Sequence, residues 1–311
     1  LTQAFPEIVF NHSFENSVPT TINFSIPGFS SKEIMDLFDA ANIRVSSGSA
    51  CSSKVTGSFV LNAMGLPNWQ SESAIRMSFG PAMTQQQVDE ACTRIMFAAQ
   101  ALGQSCLTID TNITADKTEL EGLLQFKVGG SCSWLYVDKK TKSAIFIDPL
   151  PELTQRIQTL LTCQGLDLIA VIDTHGHSDH QSCRACFADG YLAQQQTNIL
   201  GWPVHSKTTS IDGKHYPFIL LGDKWLVKVN TPGHTTDSTS LLLCDPVKDS
   251  TDKLVVHYTF CGDLILMDSL GRTNFSNSSA AAMFSSLQLL KVLIGTESLI
   301  CPSHDYNNEF T

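Results

Sequence analysis

Apolar residues recur along the chain in two rhythms, which part company near residue 105. In the first stretch a short apolar strand, Ile22 to Ile26, is broken by Pro27-Gly28. Ser30 and Glu33 then stand three apart, as a capping box requires at a helix start. Ile34, Leu37, Phe38 and Ala41 follow at i, i+3, i+4 and i+7, one apolar face of that helix. Ile43 to Val45 predicts a second strand, leading into a run of small residues from Ser46 to Ser53. Thr84 with Gln87 predicts another capped helix, with Val88, Cys92, Ile95 and Ala99 on its face and Gly103 as its stop. After residue 105 short apolar runs alternate with turn residues: Leu124–Val128, Ser133–Val137 and Ala144–Asp148. A helix at about Leu153–Leu161 and a fully apolar strand, Leu168–Ile172, come next. Further strands are expected at Phe218–Leu221, Trp225–Asn230, Thr239–Cys244 and Lys253–Phe260. A helix at Ser285–Ile294 precedes a last strand at Ser298–Cys301. The expectation is a small α/β unit over residues 1–104 and a larger one over residues 105–311.

Composition narrows the classes. Of 311 residues 42% are hydrophobic and only 16% charged, which excludes a disordered chain. The net charge of −10 speaks against nucleic acid or an anionic membrane surface as partner. No apolar run approaches the ~20 residues of a membrane span. The ten cysteines show no disulfide-framework spacing, which points to a reducing compartment and a cytoplasmic protein. Residue 1 is Leu and no secretory leader pattern follows, so the start was removed or the chain belongs to a longer product.

The strongest chemical signal is Thr174-His175-Gly176-His177-Ser178-Asp179-His180, directly after the apolar strand that ends at Ile172. Burying so many unpartnered polar groups would cost roughly 2–7 kcal/mol each. On a strand-end loop they can converge on a cation instead. His234, Asp263 and His304 each sit just after another apolar strand, in Thr-Pro-Gly-His, Phe-Cys-Gly-Asp and Cys-Pro-Ser-His. One such residue is commonly structural. Four such sites in one chain point to a metal centre.

The order His-x-His-x-Asp-His, then His, Asp and His, resembles the metallo-β-lactamase superfamily, over about residues 107–311. That resemblance implies an αβ/βα sandwich with its metal at strand ends. Gly271-Arg272-Thr273-Asn274-Phe275 and His304-Asp305-Tyr306 are similar to the persulfide dioxygenases, which carry Gly-Arg-Thr-Asp-Phe and His-Asp-Tyr there. Asn274 and Thr236-Asp237 depart from the family pattern, which carries Asp and Pro-Gly. The resemblance implies one Fe(II) per chain on His175, His234 and Asp263, with Arg272 and Tyr306 contacting glutathione. Two His and one carboxylate leave room on iron for a sulfur donor and O₂. Arg offers a planar fork for a carboxylate, a solvated surface charge being the alternative reading of Arg272. His177, Asp179, His180 and His304 would then orient ligands and waters. In a binuclear hydrolase of the glyoxalase II type the same residues would complete two zinc sites.

Cys183-Arg184-Ala185-Cys186 reads as two buried thiols sharing one face of a helix, a redox or metal role being the alternative. Ser46 to Ser53 resembles the Ser-Ser-Gly-Ser-Ala-Cys loop of cysteine desulfurases, and Ser73-Ala74-Ile75-Arg76-Met77-Ser78-Phe79-Gly80 another of their motifs. This second resemblance spans about residues 7–102, the small domain of a pyridoxal-phosphate enzyme of the class V aminotransferase fold. It implies that Cys51 accepts sulfur as a persulfide and that Arg76 holds a carboxylate. Lys32 and Lys54 are the only lysines before Lys117, and neither lies in the family's Ser-x-His-Lys context. Pyridoxal phosphate is therefore not expected on this chain alone.

Three functions follow as expectations. The first is an Fe(II) dioxygenase that oxidises glutathione persulfide, or a protein persulfide, to sulfite with O₂, carrying a persulfide-accepting or docking module. The second is a binuclear zinc thioester hydrolase, and the third a non-catalytic sulfur-transfer or interaction module. A sulfur-donor protein, a preceding pyridoxal-phosphate domain, or a second copy in a homo-oligomer are the partners considered.

Overall fold

The computed structural model describes residues 1–47, 57–107, 117–176, 182–187, 192–193, 195–246 and 254–306. The chain divides into two compact units, Leu1–Thr118 and Glu119–Thr311. The first is a three-stranded antiparallel sheet, ordered β1 (Val9–Phe10), β2 (Thr21–Ser25), β3 (Ile75–Ser78). Among the described residues four helices accompany it: α1 (Ser31–Ala40), α2 (Phe59–Ala63), α3 (Asn68–Glu72) and α4 (Gln85–Gln104). Both expected capping boxes form, Ser30 with Glu33 and Thr84 with Gln87. Phe24, Ile34, Phe38, Ile75, Met77 and Ile95 close the core of this unit. Ile43–Val45 does not become a strand. That segment meets the sheet only at Ser46, whose N–H and C=O exchange hydrogen bonds with Arg76. Gly103 does not stop α4 either: the left-handed residue that turns the chain is Cys106.

The second unit is built on two sheets. One is ordered β4 (Gly122–Val128), β5 (Ser131–Asp138), β6 (Ser143–Ile147), β7 (Asp167–Ile172). Its last pair is parallel, and α5 (Thr154–Gln164) makes the crossover between them. The other sheet uses β8 (Lys207–Ile211), β9 (Lys214–Leu221), β10 (Lys224–Asn230), β11 (Thr239–Cys244) and β12 (Val256–Gly262). A small hairpin, β13 (Ile265–Leu266) with β14 (Ser269–Leu270), follows β12. After α6 (Ala280–Ile294) the final strand, β15 (Leu299–Pro302), adds parallel to β12, giving the order β15-β12-β11-β10-β9-β8.

Trp134, Ile145, Ile147 and Ile172 of the first sheet bury against Leu226, Leu241, Leu243 and Phe260 of the second. The buried Trp134 indole donates to the Pro302 carbonyl at 2.9 Å, so it is not left unsatisfied. Behind the six-stranded sheet, Val227, Val229 and Leu242 pack with Met283, Leu290 and Leu293 of α6. Behind the four-stranded sheet, α5 sets the Arg156 guanidinium over the Phe126 ring. Sheets covered on both faces explain why Leu241-Leu242-Leu243 reads as unbroken apolar sequence rather than alternation. The result is an αβ/βα sandwich of the metallo-β-lactamase kind, preceded by a small α/β unit. Among the described residues no helix is long and apolar enough to cross a membrane.

The Cys183 and Cys186 expectation is corrected here. The two sulfurs are bonded to each other, and Arg184–Phe187 is a 3-10 turn, not part of an α-helix. The tighter turn brings i and i+3 over one another, which lets the sulfurs meet.

Phe260 is fully buried between the sheets. Phe260→Ala should destabilise the chain by about 3–5 kcal/mol. The exposed Leu220→Ala, in the same sheet, should cost under about 1 kcal/mol. Urea denaturation of both variants checks this, and equal losses would mean that the inter-sheet layer is not the core.

Candidate metal centre

The site lies where strands of both sheets end. β7 runs into Thr174-His175, β10 leads to His234, β12 to Asp263 and β15 to His304. Ligand atoms of His175, His234 and Asp263 all lie within 4.8 Å of one another. His234 Nε2 stands 3.4 Å from Asp263 Oδ2, and His304 Nε2 stands 3.7 Å from Asp263 Oδ1. The rings of His175 and His234 meet edge to face at 5.2 Å. All three imidazoles are buried.

The hydrogen bonds around the two candidate ligand histidines fix which nitrogen faces the centre. His234 Nδ1 lies 2.9 Å from the Arg272 carbonyl, which can only accept, so Nδ1 carries the proton. His175 Nδ1 lies 3.0 Å from Thr174 Oγ1. That hydroxyl gives its own proton to Asp148, at 3.0 and 3.1 Å from the two carboxylate oxygens. Ser303 Oγ also donates to Asp148, at 2.5 Å, so neither hydroxyl has a proton to spare for the ring. Thr174 Oγ1 must therefore accept from His175 Nδ1–H. As neutral imidazoles, both rings would then present a bare Nε2. Two imidazole nitrogens and one carboxylate converging this closely are a donor set that a divalent cation fits.

Backbone geometry holds this set close. Gly262 has φ +57°, and a side chain there would put Cβ 2.6 Å from Thr174 Oγ1 and 3.1 Å from His175 Nδ1. At Gly271 a Cβ would fall 1.8 Å from the Asp263 carbonyl oxygen. Asp237 Oδ2 accepts the Gly176 N–H at 3.0 Å, and Thr235 Oγ1 donates to Asp237 Oδ1 at 2.6 Å. The Asp237 departure noted in the sequence thus pins the loop that carries His175. Below His304, the buried pair Lys127–Asp305 closes at 2.8 Å, and Asp305 N–H donates to the Gly130 carbonyl. Burial pushes the Cys132 and Cys261 thiols up to about 12, so both stay protonated at neutral pH.

Arg272 and Tyr306 flank the centre. Arg272 is exposed, its guanidinium 5.2 Å from the Phe275 ring centre, while its carbonyl is tied to His234. Tyr306 is exposed and stacks on His304 at 5.1 Å, against Gly130, where a Cβ would fall 2.7 Å from the tyrosine ring. His177, Asp179, His180 and Cys51 lie outside the described residues. In the first unit Arg76 is exposed on β3, and its main chain clamps Ser46, where the small-residue run begins. Asp148, Thr174 and Ser303 were missed as site residues. Asp148 alone left a signal, since it ends an apolar strand as Asp263 does.

A two-histidine, one-carboxylate centre at the strand ends of an αβ/βα sandwich defines a metal site of the metallo-β-lactamase fold. The particular resemblances follow. The chain is 27% identical over 185 residues to the mitochondrial persulfide dioxygenase ETHE1 of Bos taurus, covering 57% of this chain and 65% of that protein. It is 24% identical over 184 residues to the probable polyketide biosynthesis zinc-dependent hydrolase BaeB of Bacillus velezensis, covering 57% of this chain and 73% of that one. The family model of class-V aminotransferases matches residues 2–91. The cysteine desulfurase IscS of Buchnera aphidicola is 38% identical over 84 residues, which is 27% of this chain and 20% of that enzyme. The chain thus resembles persulfide dioxygenases and, in its N-terminal region, a piece of a desulfurase. It spans 65% of the length of the persulfide dioxygenase it matches.

Thr174→Val should remove the acceptor that orients His175. Metal retained per chain after dialysis against a competing chelator should drop, with affinity lower by about 10–100-fold. Thr174→Ser should restore it. Equal retention in all three proteins would mean that the ring is oriented by packing alone.

Proposed function

We propose that the chain is an Fe(II)-dependent dioxygenase that oxidises a persulfide of the glutathione type to sulfite. The observation that carries this reading is the fixed pair of bare imidazole nitrogens facing Asp263, with Arg272 tied to one of those histidines through its own carbonyl. The likeness to ETHE1 persulfide dioxygenases supports it. The balanced reaction is RSSH + O₂ + H₂O → RSH + SO₃²⁻ + 2 H⁺. One iron held by His175, His234 and Asp263 would supply the redox chemistry that joins dioxygen to a soft sulfur donor.

The chain's own residues do the rest. Arg272 grips a substrate carboxylate with its planar fork, and Phe275 under the guanidinium limits where that fork can point. Tyr306, stacked on His304, offers an aromatic face and a hydroxyl for the rest of the thiol carrier. Asp148 and Thr174 keep His175 in the tautomer that binds metal. Cys51 serves as a persulfide carrier in the first unit, and Arg76 holds a carboxylate. The unit by itself is not expected to hold pyridoxal phosphate, so Cys51 receives sulfur from outside, from a persulfide or a sulfur-donor protein.

A binuclear zinc thioester hydrolase is the second reading. Asp263 favours it by facing His234 through Oδ2 and His304 through Oδ1, the disposition of a bridging carboxylate. The likeness to BaeB points the same way. Metal analysis separates the two: one iron per chain with O₂ uptake on glutathione persulfide is expected, and two zinc ions without uptake would overturn the dioxygenase.

Arg272→Ala should leave bound metal unchanged while kcat/KM for glutathione persulfide falls about 10–100-fold, the worth of a charge-assisted contact of roughly 1.5–3 kcal/mol. An unchanged kcat/KM would return Arg272 to the role of a surface charge. For Cys51, glutathione persulfide supplied from outside should add one sulfur atom to the intact chain by mass, and Cys51→Ser should not gain it. Cysteine with pyridoxal phosphate should yield no sulfide.

A further inference from the structure

A group of residues outside the metal-centre reading forms a chemistry of its own. Cys183 and Cys186 are joined by a disulfide, and their two sulfurs live in different surroundings. Cys183 is buried, whereas Cys186 is exposed. Cys183 Sγ accepts a hydrogen bond from Thr154 Oγ1 at 3.3 Å. Thr154 is the first residue of the 11-residue helix α5, so that sulfur also sits at the positive end of a helix dipole. The turn is anchored from below. Cys183 N–H donates to the Pro149 carbonyl at 2.9 Å, Ser182 Oγ donates to Asp173 Oδ1 at 2.8 Å, and Arg184 Nε lies 2.6 Å from Asp173 Oδ2.

Thiol–disulfide exchange depends on which sulfur can be reached and on how well the other sulfur carries the charge it leaves with. Both conditions choose the same direction here. The exposed Cys186 can be reached, and a Cys183 thiolate would be met by a hydroxyl donor and a helix N-terminus. We propose that Cys183–Cys186 is a second reactive centre of this chain, a thiol–disulfide exchange site for small sulfur nucleophiles, attacked at Cys186 and released at Cys183.

The steps balance. A thiolate RS⁻ bonds to Cys186 Sγ, the Cys183–Cys186 bond breaks, and its electron pair leaves on Cys183. A second RS⁻ attacks the R-bearing sulfur of the mixed disulfide and expels Cys186. Two thiols have become RSSR, and the protein pair has taken their two electrons and two protons. With a persulfide the reduced pair runs the other way. Cys186 takes the outer sulfur of RSSH and releases RSH. Cys183 then attacks Cys186 Sγ, H₂S leaves, and the disulfide is restored: protein dithiol + RSSH → protein disulfide + RSH + H₂S. Neither route uses O₂ or a metal, so the site stands or falls independently of the dioxygenase.

The test uses the full folded chain. Reduced glutathione should open the pair, seen as alkylation of both cysteines by iodoacetamide in the peptide that contains them. With glutathione disulfide, reduced Cys183→Ser should trap a glutathione adduct on Cys186, and reduced Cys186→Ser should trap none on Cys183. Thr154→Val should slow opening by about tenfold, as loss of a hydrogen bond to a charged leaving group predicts. The reduced wild-type chain, given glutathione persulfide under argon, should release one sulfide per chain and close the pair. Opening by thiol with no sulfide release would assign the site to thiols alone. A pair that resists both glutathione and dithiothreitol in the folded chain would overturn the proposal, as would equal adducts on Cys183 and Cys186.

Discussion

The centre depends on one buried carboxylate. Asp148 accepts the Thr174 N–H at 2.7 Å, the Thr174 hydroxyl, and the Ser303 hydroxyl at 2.5 Å. Its own N–H and C=O are also engaged, with the Ile172 carbonyl and the Ser133 hydroxyl. It therefore ties the ends of β6, β7 and β15 at one point and bridges the two sheets. Removing it would free the Thr174 hydroxyl to donate to His175 Nδ1. The ring would then carry its proton on Nε2, toward Asp263, and a cation would have to displace that proton first. Asp148 holds a left-handed φ of +50°, which strains a residue other than Gly. Its carboxylate hydrogen bonds offset that strain, because losing them together would leave charge buried without compensation.

Such a network explains what the sequence revealed and what it hid. His175, His234, Asp263 and His304 were legible because polar, metal-binding residues follow apolar strands where no core position would tolerate them. Thr174 and Ser303 were not, since a hydroxyl at a strand end is an everyday turn residue and only the third dimension shows it meeting Asp148. The same holds for Lys127 and Asp305, separated by most of the larger unit in sequence and paired only by the fold. Among the elements, α1 and α4 announced themselves through reciprocal caps. The five-residue α2 and α3 are too short for a periodic face, and Phe59 and Val60 of α2 are exposed. Lys207–Ile211 is mostly polar because it is the edge of its sheet, and so it carried no apolar signal. The start of α6 hid in three alanines, which give a helix propensity but no face.

The family pattern is altered at Asp237, and the alteration has a structural effect. A Pro-Gly pair would set the turn after His234 by backbone preference alone. Here Asp237 sets it through Thr235 Oγ1 and, in the same stroke, takes the Gly176 N–H of the neighbouring loop. Gly176 leaves room for this, since a Cβ there would sit 3.0 Å from Asp237 Oδ2. The turn that carries His234 is thereby coupled to the loop that carries His175.

The disulfide turn rests on the same strand ends as the metal centre. Pro149 follows Asp148, and Asp173 precedes Thr174, so the groups that hold Ser182, Cys183 and Arg184 are chain neighbours of the residues that orient His175. Asp173 is buried, so its charge needs Arg184 and Ser182 in place. The closed turn helps keep Arg184 in place by fixing the backbone between the two cysteines, and Ser182 adjoins it. Opening the sulfur bond releases that restraint but leaves three anchors, so the dithiol can form without uncovering the Asp173 carboxylate. A sulfur pair can change oxidation state next to a metal centre only if the scaffold common to both does not depend on the bond that breaks. Here it depends on main-chain and carboxylate contacts instead.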